Sequence, residues 1–341
     1  MLSALGGFLF ELIRAPLPWM LGPVVVTALS SHYLKRRIPW PVKVRDGAQL
    51  LLGYAMGRAF TAETAALILQ ALPLMILAAI LTVCAGLLSA WVLARRSDID
   101  LTSCLLGCVP GGLTQMVMLA AELPGVDLTA VTILQTVRML STVAVIPFIT
   151  IHMLADADAQ AAAAAAVHAP DDWQTVLLYA AVSIAGAGIA RLLRMPVSSL
   201  IGPILGTGAY LIATGGTAPL VPKLWLSLSQ ICIGTYIGAG IDVAKLTGYK
   251  GYWGAIFEGI AIVLTASMLM ALGIRYLTGI ELTTAFLGCA PGGLSEMGIT
   301  ALTVGADSAM MTAYQMARLL FIMMVYPHIV KKIVAYFART A

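Results

Sequence analysis

Two arginines lie where arginine is costly. Arg138 and Arg318 each sit about eleven residues into an apolar segment, about 16 Å along a helix at 1.5 Å per residue. That depth is close to a bilayer centre, where insertion scales charge about 2.5–3.5 kcal/mol for arginine, so each needs a partner or a task. A guanidinium presents a planar fork of donors suited to a carboxylate or another small anion. Gln135 and Gln315 precede the arginines by three residues and share their helix face. A second pair of features carries compatible chemistry. GCVPGGLTQM runs from Gly107 to Met116, and GCAPGGLSEM from Gly288 to Met297. Proline removes a backbone donor and glycine weakens helix, so both segments should break at Pro110-Gly111-Gly112 and Pro291-Gly292-Gly293. Such a break exposes N–H groups that attract anions, and carbonyls that can coordinate cations. Thr114-Gln115 and Ser295-Glu296 follow the breaks and bring short polar side chains to the same place.

These residues form one candidate binding constellation, with Gln49, Gln135, Gln230 and Gln315 in support. A plainer reading treats the breaks as packing kinks in which glycine permits close helix contact. In that reading Arg318 is neutralised by Glu296, while Arg138 faces Gln115 at the equivalent position. If buried, Glu296 could instead titrate and couple transport to protons. Asp127 and Asp307 open the arginine-bearing segments and read as helix caps.

The elements around these residues are membrane elements. Of 341 residues, 60% are hydrophobic and 11% charged, against roughly 25% charged in soluble domains. Ala65–Leu93 and Leu128–Met153 are among several runs long enough to span a bilayer. The composition predicts an all-α polytopic membrane protein. The net charge of +4 comes from loop lysines and arginines, which mark topology and leave no surface for reading nucleic acid. No segment is long enough for a soluble catalytic or DNA-binding domain. No signal peptide is evident. The five cysteines lie in apolar sequence without a Cys-x-x-Cys pair, and the four histidines are scattered. Both patterns predict buried, reduced thiols and no metal site.

The decapeptide occurs twice because the chain does. RAPLPWMLGP from Arg14 matches RMPVSSLIGP from Arg194, and QLLLGYAMG from Gln49 matches QICIGTYIG from Gln230. Thr132, Gln135, Arg138 and Pro147 match Thr312, Gln315, Arg318 and Pro327. The offset stays at 180 or 181 throughout, the mark of an internal repeat. The organisation read from this is repeat 1 over 1–154, an Ala-rich acidic linker over 155–173, and repeat 2 over 174–341. The first segment is about half a span shorter than its counterpart. Gly53/Gly57 and Gly234/Gly238 read as helix-packing pairs.

Each repeat holds six apolar segments, and the broken one is the fifth. A broken backbone at membrane depth requires cover from protein or a polar cavity. If the fifth segment is re-entrant, each half has five spans and the halves are inverted. If it crosses, each half has six spans and the halves are parallel. The inverted arrangement places most Lys and Arg, including Lys35–Arg37, Arg95, Arg96, Lys331 and Lys332, on the cytoplasmic side. The positive-inside rule therefore favours it.

The duplicated PGGL[ST][QE]M block and the downstream Gln-x-x-Arg resemble the AbrB-duplication membrane proteins of bacteria, over almost the full chain. These are distinct from the small DNA-binding regulators of the same name. Members are labelled regulators of gene expression or ammonia monooxygenases. The family is also distantly similar to cation/proton antiporter and anion transporter folds, with inverted repeats and elevator motion. That resemblance implies a secondary transporter of the bacterial inner membrane, coupled to H⁺ or Na⁺ and without a cofactor. Its substrate would be a small organic anion or zwitterion, with homo-oligomerisation open. An ammonia monooxygenase would need clustered metal ligands, which this sequence does not offer. The competing reading is a membrane sensor that regulates expression without transport. A sensor would need a cytoplasmic docking element, and only short loops are available. No enzymatic activity is expected.

Overall fold

The computed structural model describes residues 2–34, 40–123, 125–154, 173–244 and 250–340, with side chains excepted at 114, 250 and 334–340. The interior of the linker, 155–172, lies outside them. Among the described residues there is no strand, and there are fourteen α-helices, seven from each repeat. Repeat 1 contributes α1 (Leu2–Leu12), α2 (Pro18–Tyr33), α3 (Val42–Gly57), α4 (Ala62–Arg96), α5 (Leu101–Cys108), α6 (Leu113–Ala121) and α7 (Leu128–Ile149). Repeat 2 contributes α8 (Trp173–Leu192), α9 (Ser198–Thr214), α10 (Lys223–Ala239), α11 (Trp253–Thr278), α12 (Leu282–Cys289), α13 (Leu294–Val304) and α14 (Ser308–Thr340). A π-helical turn, Thr150–Leu154, extends α7 just after Pro147. Five helices are long and apolar enough to cross a bilayer: α4, α7 with its π turn, α8, α11 and α14. The protein is an all-α polytopic membrane protein. The fifth segment of each repeat is two short helices, α5/α6 and α12/α13, parted at Pro-Gly-Gly.

The chain forms two compact units, and neither is one sequence repeat. The first holds Met1–Gln70, Pro147–Val243 and Ser295–Thr312; the second holds Ala71–Ile146, Ala244–Leu294 and Ala313–Ala341. Each unit therefore draws on both repeats.

In the first unit, duplicated glycines set the helix crossings. Each repeat's third helix crosses the other repeat's second helix. A Cβ on Gly53 would lie 2.5 Å from Leu200 O, and one on Gly57 would lie 2.8 Å from Ile204 O. At the equivalent places Gly234 lies against Met20 O and Gly238 against Val24 O. These four glycines do pack helices, since no larger residue fits without moving backbone. The turns into α2 and α9 are also duplicated. Arg14 and Leu17 have φ of 53° and 46°, and Arg194 and Val197 have 54° and 46°. Four non-glycine residues thus hold the left-handed conformation, which costs roughly 1–2 kcal/mol each.

In the second unit, α5 and α6 form a hairpin laid along α14. Near the break, Gly111 lies beside Ile322, and Gln115 Nε2 donates to Met323 Sδ at 3.4 Å. At the open end, Tyr326 Oη donates to Leu105 O at 2.7 Å, and Lys331 Nζ pairs with Glu122 Oε2 at 3.1 Å. Both the start of α5 and the end of α6 therefore lie toward the same end of α14. The N–H of Asp127 closes the loop by donating to Ser103 Oγ on α5 at 2.8 Å. An apolar cluster including Leu106, Val109, Met116, Leu119, Ile322 and Tyr326 fills the hairpin's inner face.

Candidate functional site

A helix of eight residues leaves its last carbonyls without intrahelical partners, and α5 and α12 both end this way. The duplicated glutamines supply the missing donors. Gln135 Nε2 donates to Leu106 O at 2.7 Å and to Val109 O at 2.9 Å. In the second repeat Gln315 Nε2 donates to Leu287 O at 2.6 Å and to Ala290 O at 3.1 Å. Both glutamines are buried. Their carboxamide oxygens in turn accept from the arginines: Arg138 Nη2 to Gln135 Oε1 at 2.7 Å, and Arg318 Nη2 to Gln315 Oε1 at 2.5 Å. The i,i+3 spacing on α7 and α14 makes this relay possible.

The two guanidinium groups then converge on one tripeptide. Arg318 donates to Ala290 O through Nη1 and to Gly292 O through Nη2 at 3.0 Å. Arg138, from the other repeat, donates to Pro291 O through Nη1 at 2.8 Å. Their acceptors are successive carbonyls of Ala290, Pro291 and Gly292, which brings two positive charges to one tripeptide. Within the second unit the ion pairs among the described residues are Arg96–Glu258 and Lys331–Glu122, and neither arginine belongs to one. Each arginine also keeps a buried Nε without a hydrogen-bond partner. The partial negative charge at the carboxyl ends of the short helices offsets part of this positive charge. The remainder is suited to an anion.

The breaks differ in exposure from residue to residue. Pro110, Gly111 and Pro291 are buried, Gly292 is half-buried, and Gly112 and Gly293 are exposed at the tips. Gly112 caps α6 with φ of 87°, a conformation that favours glycine. Both breaks address the same helix, α14: the second meets Gln315 and Arg318, and the first meets Ile322 and Met323. Residues 315, 318 and 322 fall on one helical stripe, and Arg318 is about 6 Å from Ile322 along the axis. The second unit thus brings together Pro110–Gly112, Gln115, Gln135, Arg138, Pro291–Gly293, Gln315 and Arg318. The backbone of Thr114 belongs to this unit, but its side chain is outside the described ones.

The remaining candidates lie in the first unit. Ser295 Oγ donates to Glu296 Oε1 at 3.0 Å. Glu296 is buried and its Oε2 has no partner. Gln49 is buried on α3, and Gln230 is half-buried on α10 beside a cavity.

Several local expectations change. Of the carbonyls freed at the breaks, Leu106 O, Val109 O, Leu287 O, Cys289 O and Ala290 O already accept from glutamine or arginine donors. Arg138 does not face Gln115: it bonds Gln135 and Pro291 O, while Gln115 turns to Met323. Arg318 spends its Nη donors on Gln315 and backbone carbonyls rather than on a carboxylate. Glu258, alone in the apolar sequence, pairs with Arg96 at 2.8 Å. Cys84 is exposed, whereas Cys104, Cys108 and Cys289 are buried, and all five cysteines are free. Asp127 and Asp307 cap their helices, each accepting from two N–H groups at 2.8–3.1 Å. Sequence reasoning missed the glutamine caps. The available signal was the orphaned carbonyls that any helix stopped by Pro-Gly-Gly must leave.

These features define a duplicated helical membrane protein whose second break is held by a buried and a half-buried arginine. The family model described as "Transition state regulatory protein AbrB" matches residues 4–334. The chain belongs to that family. It is 29% identical over 352 aligned positions to "Uncharacterized protein YhjN" of Bacillus subtilis, covering 96% of this chain and 90% of that protein. It is 26% identical over 336 positions to "Putative regulator AbrB" of Escherichia coli, covering 98% and 95%.

Proposed function

We propose that the protein is a secondary transporter of a small organic anion or zwitterion in the bacterial inner membrane, binding its substrate between the two Pro-Gly-Gly breaks. The observation that carries this reading is the convergence of Arg138 and Arg318 on Ala290–Gly292, with both Nε atoms unpartnered and, among the described residues of the second unit, no carboxylate pairing either one. Arg138 and Arg318 balance the substrate's charge. The exposed tips at Gly112 and Gly293 admit it, and Gln115, whose Oε1 is buried and unpartnered, supplies an acceptor on the helix that follows. No resident cofactor or metal is needed, and no bond is made or broken. Coupling to H⁺ or Na⁺ fits a carrier, with Glu296 as the group to carry a proton. A sodium ion would have to find ligands other than the carbonyls that Gln135, Gln315 and Arg318 already hold.

The hairpin of α5 and α6 supports a re-entrant fifth segment, hence five spans per repeat, ten in all, and inverted halves. A cysteine placed at Ala163 in the linker should then label from the periplasm; cytoplasmic labelling would favour parallel halves. The partners are the substrate and the bilayer, with no nucleic acid and with homo-oligomerisation open.

The names of the family and of the Escherichia coli relative support a second reading, a membrane-embedded sensor that regulates expression without transport. Any effect of a carrier on expression would be indirect, through the solute it moves. Reconstituted vesicles separate the two. Uptake of a radiolabelled carboxylate or amino acid that is lost in Arg138→Lys and Arg318→Lys supports a carrier. Saturable binding with no uptake from either side supports a sensor.

A further inference from the structure

The first unit contains a cavity of about 250 Å³. At about 30 Å³ per water it has room for roughly eight waters. Its walls come from α3, α10 and α13 and are mixed in character. Leu52, Ile299 and Leu302 are apolar, whereas Ser227, Gln230 and Thr303 carry hydrogen-bonding groups. The cavity has a direction. It is also lined by Lys223, the first residue of α10, and Gln230 lies about 10 Å deeper along that helix. On α13 it runs from Thr303, near the carboxyl end, back to Ile299. Glu296, Ile299 and Thr303 follow at i, i+3 and i+7 and share one stripe of α13. The next polar groups toward the start of the helix are the buried Thr300 hydroxyl, which donates to Glu296 O at 2.9 Å, and the Glu296 carboxyl, whose Oε2 is buried and unpartnered.

We infer that this cavity is a water-filled entry through which a small hydrophilic solute reaches the first turn of α13. Polar groups on two of its three walls favour water over lipid, and its apolar residues leave solutes weakly held. The inference takes its purpose from the transport reading but is tested without a substrate.

The probe is 2-sulfonatoethyl methanethiosulfonate, a charged reagent that modifies thiolates, applied to the full-length protein in membrane vesicles. Cys84 and Cys232, the two cysteines that are not buried, are first replaced by serine. Ser227→Cys and Gln230→Cys then place thiols on the cavity wall. Leu228→Cys places one on the exposed face of the same helix. Ser227→Cys and Gln230→Cys should label at least about tenfold faster than Leu228→Cys, because apolar surroundings suppress the reactive thiolate. Adding Leu302→Trp, or Ile299→Phe if that variant does not fold, should slow Gln230→Cys by a similar factor. Equal rates at 227, 228 and 230, or labelling that ignores both filling substitutions, overturns the entry. Labelling as expected alongside a failed anion screen would instead leave the entry standing and remove the anion site.

Discussion

Substituting the glutamine caps tests how the breaks are held. Gln135→Leu keeps side-chain volume nearly constant but removes both donors to Leu106 O and Val109 O, and the acceptor for Arg138 Nη2. A buried carbonyl left unsatisfied costs about 1–3 kcal/mol. Val109 O keeps the N–H of Gly111 at 2.9 Å, so Leu106 O is the carbonyl orphaned. With Arg138 Nη2 also left without its acceptor and Arg138 reduced to its bond with Pro291 O, the loss is about 2–6 kcal/mol. Gln315→Leu is milder. Arg318 still donates to Ala290 O and Gly292 O, so chiefly Leu287 O is orphaned, at about 1–3 kcal/mol. The assay is denaturant unfolding of the detergent-purified protein, followed by tryptophan fluorescence, with both variants compared to the parent. Both should be destabilised, and Gln135→Leu more. If both lie within about 0.5 kcal/mol of the parent, the surface-substitution range, or if Gln315→Leu is clearly worse, the capping argument is wrong.

The glycine crossings predict that Gly53→Ala and Gly57→Ala lower the melting temperature, since the new Cβ would meet backbone at 2.5–2.8 Å. Gly188→Ala and Gly273→Ala, which meet nothing within 4 Å, should be neutral or stabilising by about 0.5–1 kcal/mol through helix propensity. In the hairpin, Tyr326→Phe orphans the buried Leu105 carbonyl and should cost about 1–3 kcal/mol. Lys331→Ala removes only an exposed pair, worth under about 1 kcal/mol; equal losses in the two variants would contradict the hairpin geometry. Gly112→Ala forces a side chain to φ of 87° and should destabilise by about 1–2 kcal/mol, measured by thermal melting.

Much of the architecture was legible in the residues. Low charge and long apolar runs give a helical membrane protein, and near-constant offsets give the duplication. Pro-Gly-Gly gives the breaks, because both residue types act on the backbone locally. Asp127 and Asp307 were legible for the same reason, since a cap depends on N–H groups two and three residues away. What was not legible depends on distant segments. The roles of Gln135 and Gln315 require knowing that α7 packs on α5 and α14 on α12. The contact of Arg138 with Pro291 O spans 153 residues, and no periodicity within one repeat announces it. The pairing of Glu258 with Arg96 joins two helices in the same way. The compact units were also hidden, because neither follows the boundary between repeats.

The most direct test of the anion site is a thermal-shift screen of the purified protein against small carboxylates, amino acids and inorganic anions, run in parallel on Arg138→Lys and Arg318→Lys. Lysine keeps the charge but loses the guanidinium fork. A ligand at a hundred times its dissociation constant stabilises by about 2.7 kcal/mol, readily seen in a melting curve. The account predicts at least one selective hit in the parent that weakens or disappears in both variants. A hit that shifts all three proteins equally would contradict it and leave the arginines as braces for the broken helices.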